Sequence, residues 1–242
     1  MKKLHRGGSS PDGEPLSAGR VEYLEAARQR VRRRRLRRTV IILAALILVT
    51  LFATGAVGAS IARVKDLVDT VHIALSPAVG WPQQTGLGDL TAVQPMSGSF
   101  AAMDEDACVV YSLGGTRLAS IQSGYARPAL AAGKTRFVLY NRSGNELRVE
   151  SRTQNLYSKT LENSIYLCAM SDTGTLAVAT DSADSTARLT VYTPTMSEQL
   201  HWDMTGTQGT PVRMAFAADS RRLAVAAVTS SAGQLQANLF VL

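Results

Sequence analysis

Two groups of carboxylates are the side chains of this sequence best placed for acid–base or metal chemistry. They are Asp104-Glu105-Asp106 and the closely spaced pair Asp181 and Asp184. Clustered carboxylates can hold a cation or exchange protons with a substrate. Neither group has the glycine-bearing spacing of a calcium loop, and both fall between predicted strands, where acidic residues commonly form turns. The sequence therefore favours turn roles for both groups and predicts no metal or cofactor site.

The sequence contains few histidine and cysteine residues that could act in catalysis or bind a metal. After the long apolar run described below, the chain has only His72 and His201, and its two cysteines are Cys108 and Cys168. The sequence contains no CxxC or HExxH spacing, no G-x-S-x-G elbow, no Walker loop and no dinucleotide fingerprint. Both cysteines lie in apolar, strand-like runs, so we predict buried free thiols that behave as small hydrophobic groups. No catalytic residue is predicted, and the chain is not expected to be an enzyme.

Aromatic side chains offer a second kind of candidate, because they can stack on a ligand. Tyr111, Tyr140 and Tyr192 lie in predicted strands, where aromatic residues most often pack between sheets. Trp202, which stands between His201 and Asp203, receives the same interpretation, with ligand stacking as its less favoured alternative.

A segment near the N-terminus is predicted to anchor the chain in a membrane. It would decide on which side of the membrane all of these residues lie. An uncharged run of 24 residues extends from Thr39 to Ala62, directly after a basic cluster. As a helix this run is about 36 Å long, enough to cross a hydrocarbon core of about 30 Å. Cationic residues stay on the cytoplasmic side of a membrane, so the sequence predicts a cytoplasmic N-terminus and an extracellular C-terminal domain. A cleaved signal peptide, with Ala56-Val57-Gly58 as the cleavage site, is the alternative.

The positive charge of the chain belongs to this anchor. Residues 1–38 carry 12 Lys and Arg against 4 Asp and Glu, whereas residues 63–242 carry 14 against 15. Next to a spanning helix, such a cluster sets topology and contacts anionic head groups, so we expect the lipid bilayer and not nucleic acid as its partner. The residues expected to contact lipid are Arg32, Arg33, Arg34, Arg35, Arg37 and Arg38.

Beyond the anchor, the residue pattern changes from one typical of a helix to one typical of β-strands. Val64, Leu67, Val68, Val71 and Leu75 recur at helical spacing and predict an amphipathic helix that ends near Pro77. It could serve as a stalk, lie on the membrane surface or dock on the domain that follows. The predicted segments are a disordered cytoplasmic tail (1–20), a basic cytoplasmic helix (21–38), a transmembrane helix (39–62), the juxtamembrane amphipathic helix with a linker (63–96) and an extracytoplasmic β domain (97–242).

The β domain is built from a repeated unit. Three hairpins are predicted, with arms at 136–141 and 146–150, 176–180 and 188–192, and 223–228 and 236–240. An apolar strand that ends in a turn precedes each of them. The equivalent turn residues Gly133, Gly174 and Ser220 are 41 and 46 residues apart, a period that matches one four-stranded blade of a β-propeller.

The fold class that follows is a mainly β ectodomain, a partial β-propeller of about three and a half four-stranded antiparallel blades, preceded by one transmembrane α-helix. The expected blades are 97–122 with three strands, 126–162, 164–205 and most of a fourth at 211–242. Propellers usually close with four to eight blades, and an unpaired edge is an aggregation hazard. We therefore expect the chain to be a fragment, or to be completed by another copy.

These features resemble a family of single-pass membrane proteins, mostly from Gram-positive anaerobic bacteria, whose ectodomain is a domain of unknown function with a WD40-like or quinoprotein-like propeller. The resemblance covers about residues 20–242. It is carried by the basic N-terminus and by Cys108–Thr116, Arg127–Leu130, Arg136–Asn141, Ser171–Val178 and Ala218–Val225. Family members are longer than this chain, and the resemblance implies no catalytic residue.

Three functional hypotheses remain open. The favoured one is a membrane-anchored binding or scaffold module at the cell envelope, because loops on a rigid propeller usually carry recognition. Its partner is an unknown protein or cell-envelope ligand. The second is a propeller enzyme, either quinone-dependent or active on glycans. The third is a regulator that couples an outside ligand to a cytoplasmic partner, with Gly55 and Ala59 forming a small-residue helix pairing face.

Overall fold

The computed structural model describes residues 56–242, with side chains from residue 64 onward. The predicted tail 1–20, the basic helix 21–38 and most of the spanning segment 39–62 lie outside the described residues. The predicted lipid-contacting arginines lie there as well. Residues 58–242 form one compact unit.

A single helix, α1 (Ala56–Leu75), opens the described chain. It continues without a break across the predicted boundary at residue 62 and ends just before Pro77, as the sequence indicates. Within residues 56–242, no helix is both long enough and apolar enough to span a membrane.

Fifteen strands follow the helix and form four antiparallel sheets in chain order. The first sheet contains β1 (Ala92–Met96), β2 (Ser99–Met103), β3 (Ala107–Ser112) and β4 (Arg117–Gln122). The second contains β5 (Pro128–Ala132), β6 (Arg136–Asn141), β7 (Glu146–Ser151) and β8 (Asn155–Thr160). The third contains β9 (Ile165–Met170), β10 (Leu176–Thr180), β11 (Ala187–Tyr192) and β12 (Glu198–Met204). The fourth contains β13 (Thr210–Phe216), β14 (Leu223–Ser231) and β15 (Gln234–Val241).

The first sheet has one strand more than the sequence predicts. Residues 92–96 form β1, which pairs with β2, although they fall in the segment interpreted as linker. The linker prediction was wrong for these residues because of Pro95. Proline has no backbone N–H to donate within a sheet, so it normally indicates that a strand is interrupted. It is tolerated here because β1 is an edge strand of its sheet, where one side of the backbone needs no partner. The other hairpins occur where they are predicted.

The hydrophobic core lies between successive sheets. Phe137 and Leu139 of β6 face the first sheet, whereas Val138 and Tyr140 of the same strand face the third. This two-sided burial explains why β6 is apolar throughout, since successive side chains of a strand point to opposite faces. A further cluster joins the third and fourth sheets around Leu189.

Close approach of neighbouring sheets requires a glycine at position 133. A Cβ atom at Gly133 would lie 2.1 Å from the backbone oxygen of Ser171, in the first turn of the third sheet. Real Cβ atoms do not approach a carbonyl oxygen so closely, and backbone cannot move aside as a flexible side chain can. The repeated turn that reveals the period in the sequence is therefore also where the second and third sheets meet.

The outermost strand of the fourth sheet exposes apolar side chains. Leu235, Leu239 and Val241 of β15 are all exposed, and β15 pairs only with β14 within the described residues. The opposite face of this sheet contributes Val225 and Ala227 to the core shared with the third sheet.

Helix α1 docks on the sheets through its acidic side. Arg152, which directly follows β7, is fully buried, and its Nε donates to Oδ2 of Asp69 at 3.0 Å. Its other nitrogens donate to the backbone oxygen of Ser97 (2.8 Å) and to Oγ1 of Thr70 (2.7 Å). The second oxygen of Asp69 accepts from the hydroxyl of Thr153. In this group of side chains, the Arg152 network, the charged pair is buried and the two threonines are half-buried.

A second arginine binds the same helix about one turn closer to the N-terminus of the helix. Nε of Arg136, at the start of β6, donates to both carboxylate oxygens of Asp66 at 3.0 and 3.2 Å. Nη1 of Arg136 donates to the backbone oxygen of Pro194, in the turn between β11 and β12, at 2.7 Å. Ile73, also on this side of α1, is buried. The two ion pairs and Ile73 fix both the position and the rotation of the helix.

The segment between α1 and β1 covers the outer face of the first sheet. Trp81 packs against Phe100 and Tyr111, with ring centroids 5.7 and 5.5 Å apart, and its indole nitrogen donates to the backbone oxygen of Leu113 at 2.9 Å. Arg117 donates to the backbone oxygens of Gln84 and Thr85. Tyr111 thus packs as expected, although its partner Trp81 comes from the predicted linker.

Candidate functional site

A polar concavity lies between the second and third sheets. It is an open cleft of about 400 Å³. One side is formed by the end of β8 and the connection that follows it, and the other by β10, β11 and β12. Its lining residues are mostly polar or charged: Lys159, Thr160, Leu161, Glu162, Asn163, Thr180, Arg188, Thr190, Tyr192, Glu198 and His201.

A lysine over an aromatic ring links the two sides of the cleft. Nζ of Lys159, on β8, stands 4.4 Å from the ring centroid of Tyr192, on β11. An ammonium group in this position is attracted by the ring quadrupole, by about 0.5–1 kcal/mol at an exposed site. Tyr192 is itself buried. The pair therefore provides an aromatic ring on the floor of the cleft with a cation over its face.

A cross-strand ion pair and a carboxylate–imidazole contact within β12 lie beside this floor. Nε and Nη2 of Arg188 donate to the two carboxylate oxygens of Asp203 at 2.6 and 3.2 Å. Hydrogen bonding from Arg188 holds the pKa of Asp203 below its ordinary value. Nδ1 of His201 lies 2.9 Å from Oε1 of Glu198. The cleft thus presents charges of both signs on rigid strands, which suits recognition of a polar surface with charged side chains.

Strand alternation separates Trp202 from its neighbours. His201 faces the cleft, whereas Trp202 points to the opposite face of β12 and meets Phe240 edge to face, with centroids 5.1 Å apart. Trp202 packs against the core between the third and fourth sheets. The packing interpretation of Trp202 is confirmed, and its expected companions His201 and Asp203 lie on the other face.

Asp104 of the acidic cluster is the organising residue of a turn. Its Oδ1 accepts from the backbone N–H groups of Asp106 (2.8 Å) and Ala107 (2.6 Å), and its Oδ2 accepts from that of Gly88 (2.7 Å). These donors hold the pKa of Asp104 below the ordinary value of 3.8, with Gly88 as the largest cause. The turn role expected for this cluster is confirmed for Asp104.

Acidification will remove the stabilisation that Asp104 provides. A carboxylate with a lowered pKa in the folded state stabilises above its unfolded pKa, and the contribution is lost as the pH falls below about 3.8. We expect Asp104→Asn to unfold at lower urea concentration than the wild type at pH 7, and this difference to shrink at pH 3. Glu105→Gln, the matched change at a neighbouring exposed side chain, should have little effect at either pH. A difference for Asp104→Asn that stays constant or grows on acidification would contradict this role.

In the second acidic group, Asp181 also takes part in local hydrogen bonds. Asp181, just after β10, accepts from the hydroxyl of Tyr166 at 2.8 Å and from the backbone N–H of Ser182 at 2.9 Å. It belongs to the third sheet, whereas Asp104 belongs to the first. Within residues 64–242, no group of three His, Cys, Asp or Glu side chains could hold a metal ion.

The two cysteines are free and buried, as predicted. Burial raises the pKa of Cys108 to about 12, with a smaller contribution from the charge of Glu150. Burial also raises the pKa of Cys168 well above its ordinary value. Since the thiolate is the reactive form, both side chains are poor nucleophiles in the folded protein.

Sequence reasoning missed the cleft itself. Lys159 and Tyr192 are far apart in the chain, and neither belongs to a recognisable motif. The only signal in the sequence was the polar residues at alternate positions of β11 and β12. They indicate that one face of these strands is not covered by hydrophobic side chains. They do not indicate which residues lie opposite that face.

Residues 79–241 match a family model described as a family of unknown function, DUF5711. The match covers two thirds of the chain and nearly the whole of the β domain. No curated protein matches the chain.

Solved structures similar to this chain are WD40-type β-propeller proteins. KlAtg21, in a complex with the coiled coil of AgAtg16, matches with a TM-score of 0.50 and 14% identity over 64% of this chain and 53% of its own. Hsv2 of Kluyvelomyces marxianus matches with a TM-score of 0.48 and 13% identity, over 58% and 44%. The Pan2 WD40 domain of Neurospora crassa matches with a TM-score of 0.43 and 10% identity, over 63% and 48%. The chain spans about half the length of these structures, and the first of them shows that its four sheets resemble those of β-propellers.

Proposed function

The chain belongs to DUF5711, a family of unknown function, and we propose that it is a non-catalytic binding module that holds a protein partner at the outer surface of the cell membrane. The observation that carries this proposal is the polar cleft between the second and third sheets. Rigid strands fix its walls, and exposed charges of both signs line it. Propellers commonly use such surfaces for recognition, and the similar KlAtg21 was solved with a coiled coil of another protein.

The chemistry of the cleft favours a protein over a small molecule. Small-molecule pockets are mostly apolar and enclose the greater part of their ligand. This cleft is open, and Lys159, Glu162 and His201 give it the mixed polarity typical of the surface around an interface. The Lys159–Tyr192 pair at its floor offers the aromatic and cationic contact on which binding energy usually concentrates.

The proposal that the module is not an enzyme rests on what the candidate groups already do. Catalytic carboxylates need to converge on one place with perturbed proton affinities. Asp104 and Asp181 instead accept hydrogen bonds within turns of two different sheets. His201 is engaged with Glu198 at an exposed edge of the cleft.

Site-specific photo-crosslinking tests the binding proposal. A photoreactive amino acid at Asn163, in the cleft, should form a protein adduct when the full chain is irradiated in its native membrane. The same amino acid at Leu113, which is exposed in the turn between β3 and β4, should not form it. Lys159→Glu should reduce the yield at Asn163 at least tenfold, because it reverses the charge at the aromatic floor. Lys134→Glu, at an exposed lysine away from the cleft, is the control. Equal adduct yields with both variants would refute the cleft as the binding site.

The membrane location is proposed from the arginine cluster and the uncharged run of residues 39–62. We expect Leu113→Cys to react with a membrane-impermeant maleimide in intact cells, and Ser10→Cys to react only after the cells are opened. The buried native thiols should contribute little background. Labelling of Ser10→Cys, and not Leu113→Cys, in intact cells would reverse the proposed orientation.

A further inference from the structure

Helix α1 carries an apolar stripe on the side that does not contact the sheets. Val64, Leu67, Val68, Val71 and Leu75 have exposed fractions between 50% and 79%. Burial of such side chains normally contributes about 1.5–3 kcal/mol each, so five of them side by side on one helix form an unusual surface. An amphipathic helix usually buries its apolar side in its own domain. Here the acidic side is buried.

The spacing of the stripe is that of a coiled coil. Val64, Val68, Val71 and Leu75 follow one another at steps of four, three and four residues. The same rhythm continues toward the N-terminus with Ile61 and Val57, which are part of the same helix. Six apolar positions over 19 residues thus follow a mean period near 3.5, the repeat that keeps a seam facing a partner helix.

The docked face of α1 is compatible with this seam. If Val64 and Val71 are heptad positions d, and Val68 and Leu75 positions a, then Asp66 and Ile73 both occupy position f, directly opposite the seam. Asp69 and Thr70, which contact Arg152, occupy positions b and c. The contacts to the sheets therefore use b, c and f and leave a, d, e and g available. No second helix exists among residues 56–242 to cover the stripe.

We infer that this stripe pairs with the same stripe of a second copy of the chain, in a parallel coiled coil. In a parallel pair, position g of one helix faces position e five residues later in its partner. Leu67 would face His72, so no like charges meet in this pair. An antiparallel pair would bring positions e together and oppose Lys65 with cationic or basic side chains.

The composition of the stripe separates a helix partner from a lipid surface. Helices that lie in the membrane interface carry Trp, Phe or Leu on the apolar side. The helix Ala56–Leu75 contains no Trp, Tyr or Phe, and valine is the commonest residue of the stripe, at three of its five positions. β-Branched side chains have few rotamers and suit the interlocking geometry of a helix seam.

Disulfide trapping in the full chain tests the pairing. Val64→Cys and Val71→Cys should each give a dimer-sized product on mild oxidation in the membrane. Its yield should be at least ten times that of Val93→Cys, a matched exposed valine on β1. The native cysteines are buried and should not contribute. Yields at 64 and 71 equal to that at 93 would overturn the proposal.

Charge complementation distinguishes a second copy from the other possible occupants. Val68→Glu alone should lower the dimer fraction at least tenfold, because two carboxylates would meet in the seam. Mixing it with a Val68→Lys chain should restore the dimer, whereas Val93→Glu should leave the dimer unchanged. If lipid or residues 1–55 of the same chain cover the stripe, the mixture will behave like Val68→Glu alone, and the inference fails.

Discussion

Replacement of Arg152 by methionine is expected to lower the free energy of unfolding by about 3–5 kcal/mol. The guanidinium is fully buried, and its removal leaves the carboxylate of Asp69 inside the protein without its counterion. It also removes the donors to the backbone oxygen of Ser97 and to Thr70. Urea unfolding of the protein, followed by far-ultraviolet circular dichroism, measures the change.

Two further variants show whether the unpaired charge is the cause. Arg152→Met combined with Asp69→Leu removes both charges and should recover a substantial part of the loss, because breaking a buried pair costs more than replacing it. Arg222→Met breaks an exposed pair with Asp219, and such pairs contribute less than about 1 kcal/mol. If the double variant is less stable than Arg152→Met by the full cost of Asp69→Leu, the two side chains are not coupled.

Replacement of Trp81 by alanine is expected to lower the free energy of unfolding by about 2–4 kcal/mol. The change removes two aromatic contacts, each about 0.5–1.5 kcal/mol, and one hydrogen bond to the backbone oxygen of Leu113, about 1 kcal/mol. Since Trp81 ties the segment between α1 and β1 to the first sheet, limited proteolysis of residues 78–90 should also become faster.

The matched variant Trp81→Phe keeps a ring against Phe100 and Tyr111 but loses the indole donor. We expect it to retain most of the stability and the slow proteolysis of the wild type. Trp81→Ala within about 0.5 kcal/mol of the wild type, with unchanged proteolysis, would show that this segment is held by other contacts, such as those of Arg117.

The repeated sheet was predictable because its signal is local. An apolar strand such as β6, an alternating strand such as β7 and the turn between them are all visible within sixteen residues. The turn at Gly133 recurs in the next two sheets, and the interval between these turns predicts a blade. The roles of Cys108, Trp202 and Asp104 followed from the same local context and agree with the structure.

Features that depend on partners distant in the chain were not predictable. Pro95 fits in β1 because β1 is an edge strand of its sheet. That position depends on how the strands assemble and cannot be read from the residues of β1. The docked side of α1 is decided by Arg136 and Arg152, about 70 and 83 residues later. The cleft needs Lys159 and Tyr192 to meet across two sheets. In each case the sequence shows one partner without indicating the other.

Because two arginines bind successive turns of α1, a force on the helix is transmitted to the sheets. Asp66 and Asp69 are about 4.5 Å apart along the helix axis, and both hold the second sheet through guanidinium groups. Two anchor points at different heights resist twisting as well as sliding. A torque applied to the helix would therefore act on the second sheet, which supplies Lys159. Through the hydrogen bond from Arg136 to the backbone oxygen of Pro194, it would also act on the third sheet, so both sides of the cleft would be reached.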